Sequence, residues 1–270
     1  ILGSLLEGQA GIETLQNITP MGLKEAAVSS LAAAATVTLM TFARLPVSTS
    51  QAVVGAILGI AVLNRELNAP NLSKIVACWI GTPIGGMLIA MVLYRLSALV
   101  YNNLSMNLFQ SDSLLRLSLI AAGSYGAYAL GANNVANVTA VFVAADQLTV
   151  FSAVLVGGLS IALGIMTFSR RVMETVGRRL VRLDPFSALM VVMAEAITVH
   201  IYTFVGVPVS TSQAVVGAVL GIGIIKGIKT VAPRTLVNIL LGWCLTPLAA
   251  MIMAIGIYFA IHLQYMGPTP

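Results

Sequence analysis

The chain has 270 residues, of which 58% are hydrophobic and 9% charged, and its formal net charge is +5. A soluble domain carries roughly 25% charged residues, so this composition excludes an ordinary soluble protein. The scarcity of aromatic residues and the lack of polar/apolar alternation exclude a β-barrel, and a positive balance carried mostly by loop arginines suits membrane topology better than nucleic-acid binding.

In chain order, the sequence opens inside an apolar phrase, "ILGSLLEG", so Ile1 reads as a cut edge of a longer sequence. The run from Met21 to Phe42 carries charge only at Lys24 and Glu25. "PVSTSQAVVGAILGI" follows from Pro46 to Ile60. Leu72 to Tyr101 would span about 45 Å as a helix, with Pro83 expected to kink it. Leu117 to Ala145 is uncharged but holds "GANNVANV" at Gly131–Val138. Leu148 to Phe168 is uncharged, and a basic connector with Arg170, Arg171, Arg178, Arg179 and Arg182 comes next. Glu195 and His200 stand in the apolar run before "PVSTSQAVVGAVLGI" at Pro208–Ile222, and Leu236 to Ile261 is again uncharged. A crossing helix needs about 20 apolar residues, so the pattern predicts an all-α polytopic membrane protein. Cys78 and Cys244, each beside a tryptophan, read as small buried packing residues, with no disulfide or metal spacing.

The two Pro-Val-Ser-Thr-Ser-Gln strings agree at 14 of 15 positions, differing only at Ile57 and Val219. The match extends outward: Ile12–Thr14 meets Met173–Thr175, Thr41-Phe42 meets Thr203-Phe204, and the Thr-Pro pair ending at Pro83 meets the one ending at Pro247. One unit of roughly 160 residues is therefore used twice, the sign of a secondary-transporter fold. The expected division is residues 1–111, a first repeat lacking its N-terminal part, and residues 112–270, a second. The connector Gln9–Lys24 has one basic residue where its counterpart Arg170–Leu183 has five. Positive residues gather on the cytoplasmic side, which predicts that the repeats are inverted in topology. The first-repeat twin of "GANNVANV" would lie upstream of Ile1.

A hydroxyl cluster in a bilayer must satisfy its hydrogen bonds within the protein. Pro46 and Pro208 fit the first turn of a helix, and the apolar stretch after each is short enough for a half-helix in a re-entrant hairpin. A helix N-terminus has free N–H groups and roughly half a positive charge. Two such tips, bearing Ser48, Thr49, Ser50 and Gln51 and Ser210, Thr211, Ser212 and Gln213, are expected to meet near the midplane and enclose a small tetrahedral oxyanion. Gly131 and the asparagines Asn133, Asn134 and Asn137 are poor helix formers, so this stretch is expected to unwind and offer carbonyl and amide oxygens to Na⁺. Glu195, deep in an apolar run, reads as a cation-binding carboxylate. Glu13 lies nearer a loop and reads equally well as a solvated surface acid, His200 reads as a hydrogen-bonded packing residue with proton relay as the weaker alternative, and Arg44 as either an anion-attracting charge or a helix cap.

With its two "PVSTSQAVVGA" strings and "GANNVANV", the chain resembles the inorganic phosphate transporter (PiT) family of sodium- or proton-coupled symporters. The resemblance implies an inverted-repeat fold with phosphate held by the two tips, Na⁺ bound near Asn133, Asn134 and Asn137, and functional acids at Glu13 and Glu195. It implies no enzymatic activity, no resident cofactor, Na⁺ as a co-transported ion, and a multi-pass place in the cell membrane; a homodimer is a further expectation. Asn134 stands where many members have Asp, and Gln51 and Gln213 where others have His, which counts against proton coupling. Sulfate or another oxyanion remains an alternative substrate. A passive channel is a further alternative, but the sequence has no Asn-Pro-Ala pair of the kind that aquaporin-like pores carry, and a serine hydrolase built from Ser48 or Ser210 with His200 makes a poor triad.

Overall fold

The computed structural model describes residues 1–43, 47–177, 183–227 and 233–265. Arg44, Pro46, Arg178, Arg179 and Arg182, all invoked from the sequence, lie outside the described residues. Among the described residues ten helices follow one another: α1 (Leu2–Glu7), α2 (Gln9–Gln16), α3 (Leu23–Phe42), α4 (Thr49–Asn64), α5 (Ala69–Asn102), α6 (Leu108–Ala144), α7 (Val150–Gly177), α8 (Pro185–Val205), α9 (Thr211–Lys226) and α10 (Pro233–Tyr265).

Five of these carry stretches long and apolar enough to cross a bilayer: Leu23–Phe42, Ala69–Asn102, Val150–Thr167, Pro185–Val205 and Leu236–His262. Large apolar side chains such as Leu88, Leu96, Phe151, Leu163 and Ile252 stand exposed on them. That is the arrangement expected where hydrocarbon, rather than water, surrounds the protein. Cys78 is buried on α5, whereas Cys244 on α10 is exposed, so the packing role expected of both holds only for Cys78.

The helix starts are written locally. Ser48 caps α4 and Ser210 caps α9, each hydroxyl accepting from the N–H of the glutamine three residues on, at 3.4 Å. Helix therefore begins at Thr49 and Thr211. Pro208 precedes the cap instead of standing in the first turn as the sequence suggested, because Ser210 takes the N-cap role that favours a side-chain oxygen acceptor. Asp184 caps α8 through the Ser187 N–H at 2.9 Å, with Pro185 at the first helical position.

α4 and α9 each have 16 residues, about 24 Å of helix, short of a hydrocarbon core of about 30 Å. Each short helix packs on a long helix from the other half of the sequence. A Cβ on Gly55 of α4 would lie 2.2 Å from the Pro247 carbonyl oxygen of α10, and one on Gly217 of α9 would lie 2.0 Å from the Pro83 carbonyl oxygen of α5. One turn further on, Gly59 and Gly221 press in the same way on the Met251 and Met87 carbonyls. The repeated Gly-x-x-x-Gly lets backbones approach where any larger residue would collide. Two equivalent crossings thus interlock the halves, and both long helices continue unbroken through Pro83 and Pro247.

α6 corrects another expectation. Gly131–Val138 is regular helix inside a 37-residue element, not an unwound segment. Asn133 and Asn137 are engaged by neighbouring elements and Asn134 within α6 itself, and these bonds override the weak propensity.

Candidate functional site: two helix tips joined through an asparagine ladder

The capped starts of α4 and α9 meet. The Ser50 hydroxyl donates to the Val209 carbonyl at 3.0 Å, across 159 positions of sequence. Val209 immediately precedes the N-cap of α9, so the two Ser-Thr-Ser-Gln tips are neighbours, as their repetition suggested.

α6 supplies what holds them. Asn137 Nδ2 donates to Ser50 Oγ and to Asn134 Oδ1, both at 3.0 Å. Asn134 Nδ2 donates in turn to the Leu130 carbonyl of its own helix at 3.1 Å. Asn133 Oδ1 accepts from the Val209 N–H at 2.9 Å, while its Nδ2 donates to Thr203 Oγ1 and the Val207 carbonyl at 3.2 and 3.3 Å. Asn133 therefore clamps the strand of backbone leading into α9. Both backbone polar groups of Val209 are held, the N–H by Asn133 and the C=O by Ser50.

Ser48, Ser50, Gln51, Asn133, Ser210 and Gln213 are each no more than 4% exposed. Thr211, Ser212, Asn134 and Asn137 are half-buried, and Thr49 is exposed. Ser210 and Ser212 share a hydrogen bond of 2.8 Å. Among the described residues three amide oxygens in this region are buried without a partner: Gln51 Oε1, Gln213 Oε1 and Asn137 Oδ1. Every side chain of the two tips and the ladder is uncharged, so the fixed electrostatic contribution at the tips is the positive end of two helices. That suits an anion. For a cation, Asn133 and Asn134 have committed their oxygens to the Val209 N–H and to Asn137, which leaves Asn137 Oδ1 as the ladder's free oxygen.

The two acids lie apart from this ladder. Glu195 is half-buried on α8 and faces α6, where a Cβ on Gly126 would lie 3.7 Å from its Oε2. Among the described residues none hydrogen-bonds its carboxylate. Glu13 is exposed on α2 and accepts from Gln9 Nε2 at 2.7 Å. Gly11, about 200° around that helix, is the position that faces Ala136 and Pro208, so Glu13 points away from the tips. No group of three or more His, Cys, Asp or Glu side chains suited to a metal occurs among the described residues.

A second polar cluster was not foreseen. His200 Nε2 pairs with Glu7 Oε2 at 2.6 Å, and His200 Nδ1 with the Tyr125 hydroxyl at 2.7 Å. Phe204 stacks on the imidazole at 4.7 Å, and Tyr128 meets it edge-on. The cluster ties α1, α6 and α8 together. The signal that could have found Glu7 was the one that found Glu195, a single acid inside an apolar phrase.

Comparison with known proteins yields consistent relatives. The model of the phosphate transporter family matches residues 1–114 and 100–254. A candidate phosphate permease of Methanocaldococcus jannaschii is 29% identical over 256 residues, covering 94% of this chain and 80% of that protein. The sulfate permease CysP of Bacillus subtilis is 31% identical over 211 residues, or 77% of this chain and 58% of that protein. The solved structure of a sodium-dependent phosphate transporter superposes with a TM-score of 0.85 at 22% identity, over 97% of this chain and 87% of that one.

Proposed function

This chain belongs to the phosphate transporter family, a family of membrane transporters and not of enzymes, and from that premise we propose that it imports inorganic phosphate together with Na⁺ by alternating access. The observation that carries the reading is the 3.0 Å bond from Ser50 to Val209, which makes one site of two helix N-termini. Phosphate oxygens would accept hydrogen bonds from the first-turn N–H groups of α4 and α9 and from the hydroxyls of Ser48, Thr49, Ser210, Thr211 and Ser212, while Ser50, its one proton given to Val209, holds the two tips together. The amides of Gln51 and Gln213 complete the lining.

Burial of Ser48, Ser50, Gln51, Ser210 and Gln213 supports alternation, since a ligand reaches these groups when the surrounding helices part. The interlocked crossings of Gly55 on Pro247 and Gly217 on Pro83 support a pair of inverted repeats, residues 1–111 and 112–270, that rock against each other. In that arrangement α4 and α9 are half-helices entering from opposite leaflets.

Phosphate carries one or two negative charges, and moving each against an inside-negative potential costs about 2.3 kcal/mol per 100 mV. Tight binding does not remove that cost over a cycle; co-transported cations do. Asn137 Oδ1 and the free carboxylate of Glu195 are the oxygens we assign to Na⁺. Glu13, exposed on α2 and bonded to Gln9, would meet cations at the protein surface. Uptake of phosphate into vesicles at fixed pH and voltage tests the coupling: it should collapse when Na⁺ is replaced by choline, and undiminished uptake would defeat it. The likeness to a sulfate permease favours a second reading in which the same tips hold sulfate.

A further inference from the structure

The two readings differ by a proton, and the tips contain groups that sense one. Gln51 and Gln213 occupy the third position of α4 and α9. A glutamine there ordinarily reaches back to the backbone N–H of the N-cap. Gln110 does so at the same position of α6, its Oε1 accepting from the Asn107 N–H at 3.1 Å. Neither tip glutamine makes that bond. Both are 3% exposed, and in both the Oε1 is buried without a partner among the described residues. The same unpaired acceptor thus recurs in both copies of the repeat, in the first turn of each tip helix.

An unpaired buried acceptor is costly, and something must supply it with a hydrogen. A cation is a poor candidate, because both glutamines stand in the first turn of their helices, where the helix end is positive. A donor carried on the anion itself fits both requirements, being drawn in by the N-termini and offering an O–H to the amide. Phosphate near neutral pH retains one or two protons; sulfate retains none, and its oxygens would face the amide oxygens as acceptor against acceptor. Resting on the oxyanion reading above, the geometry points to Gln51 and Gln213 as the specificity-determining residues of the site, their Oε1 atoms accepting from the P–OH groups of a protonated oxyanion and rejecting a fully deprotonated one.

Arsenate and selenate test this, because they are similar in size and differ in the proton. Competition against radiolabelled phosphate is measured on the purified full chain in Na⁺, with arsenate, sulfate and selenate as competitors. Arsenate should compete like phosphate, and sulfate and selenate at least about tenfold less well, since a buried partner left unpaired discriminates strongly. In the double variant Gln51→Met/Gln213→Met, which keeps side-chain length and removes the acceptor, arsenate should weaken and its advantage over selenate should shrink about tenfold or more. Selenate competing as well as arsenate in the unaltered protein overturns the inference, with no variant needed. So does an arsenate-to-selenate ratio that the double variant leaves unchanged, the result expected if the amides donate through their nitrogens. Binding of none of these oxyanions, phosphate included, would instead overturn the oxyanion reading and this inference with it.

Discussion

The Ser50 hydroxyl reaches the Val209 carbonyl at 3.0 Å and at the same time accepts from Asn137. One side chain thereby joins the start of α4, the approach to α9 and the middle of α6. Ser50→Ala leaves the Val209 carbonyl and one Asn137 donor unpaired in a buried site, which costs about 1–3 kcal/mol. Thermal unfolding in detergent should show the loss, and phosphate should restore less of the stability than it does in the unaltered protein.

The interlock at the second crossing is equally open to test. Gly217→Ala forces a methyl against the Pro83 carbonyl at 2.0 Å, whereas the same change at Gly256 meets nothing within 4 Å. Overpacking of this kind costs about 1–3 kcal/mol. Gly217→Ala should lower the unfolding temperature, and Gly256→Ala should leave it unchanged or raise it slightly.

Acid should release one tie between α8 and α9. Burial alone would raise the Asp184 carboxyl, but hydrogen bonds from Lys226 and from the Ser187 N–H and hydroxyl outweigh it and hold the group down to about 2. Because the folded value lies below the unfolded one, the pair's contribution is fully present above pH of about 4 and is lost as pH falls towards 2. Asp184→Asn should flatten the acid limb of a stability profile in that window, and an unaltered limb would remove the pair from the account.

Glu195 offers a carboxylate that no described residue pairs with. Glu195→Gln keeps the shape and removes the charge, and should raise the Na⁺ concentration for half-maximal uptake about tenfold, equivalent to roughly 1.4 kcal/mol of cation binding. The phosphate concentration dependence at saturating Na⁺ should change much less.

Much of this was legible in the residues. The duplicated string identified both tips, and its Gly-x-x-x-Gly tail already held the crossings with Pro83 and Pro247, both of which the repeat alignment had paired. The asparagine stretch was misread as broken helix because propensity is local, whereas Asn133 and Asn137 bond to residues 70 or more positions away. Nothing in their spacing reveals those partners. Pro208 was placed inside α9 by the same kind of local rule, and Ser210 proved the stronger start signal. Glu7 escaped notice because its partner His200 stands 193 positions on, without a repeat twin to pair them.

The account rests on both tips serving a single anion, and calorimetric titration of the purified chain with phosphate in Na⁺ addresses that most directly. One binding event per chain is predicted, weakened about tenfold or more by Thr49→Val and likewise by Thr211→Val, since each removes a hydroxyl donor to a charged ligand. Two independent events, or one event that responds to only one of the two substitutions, would contradict it.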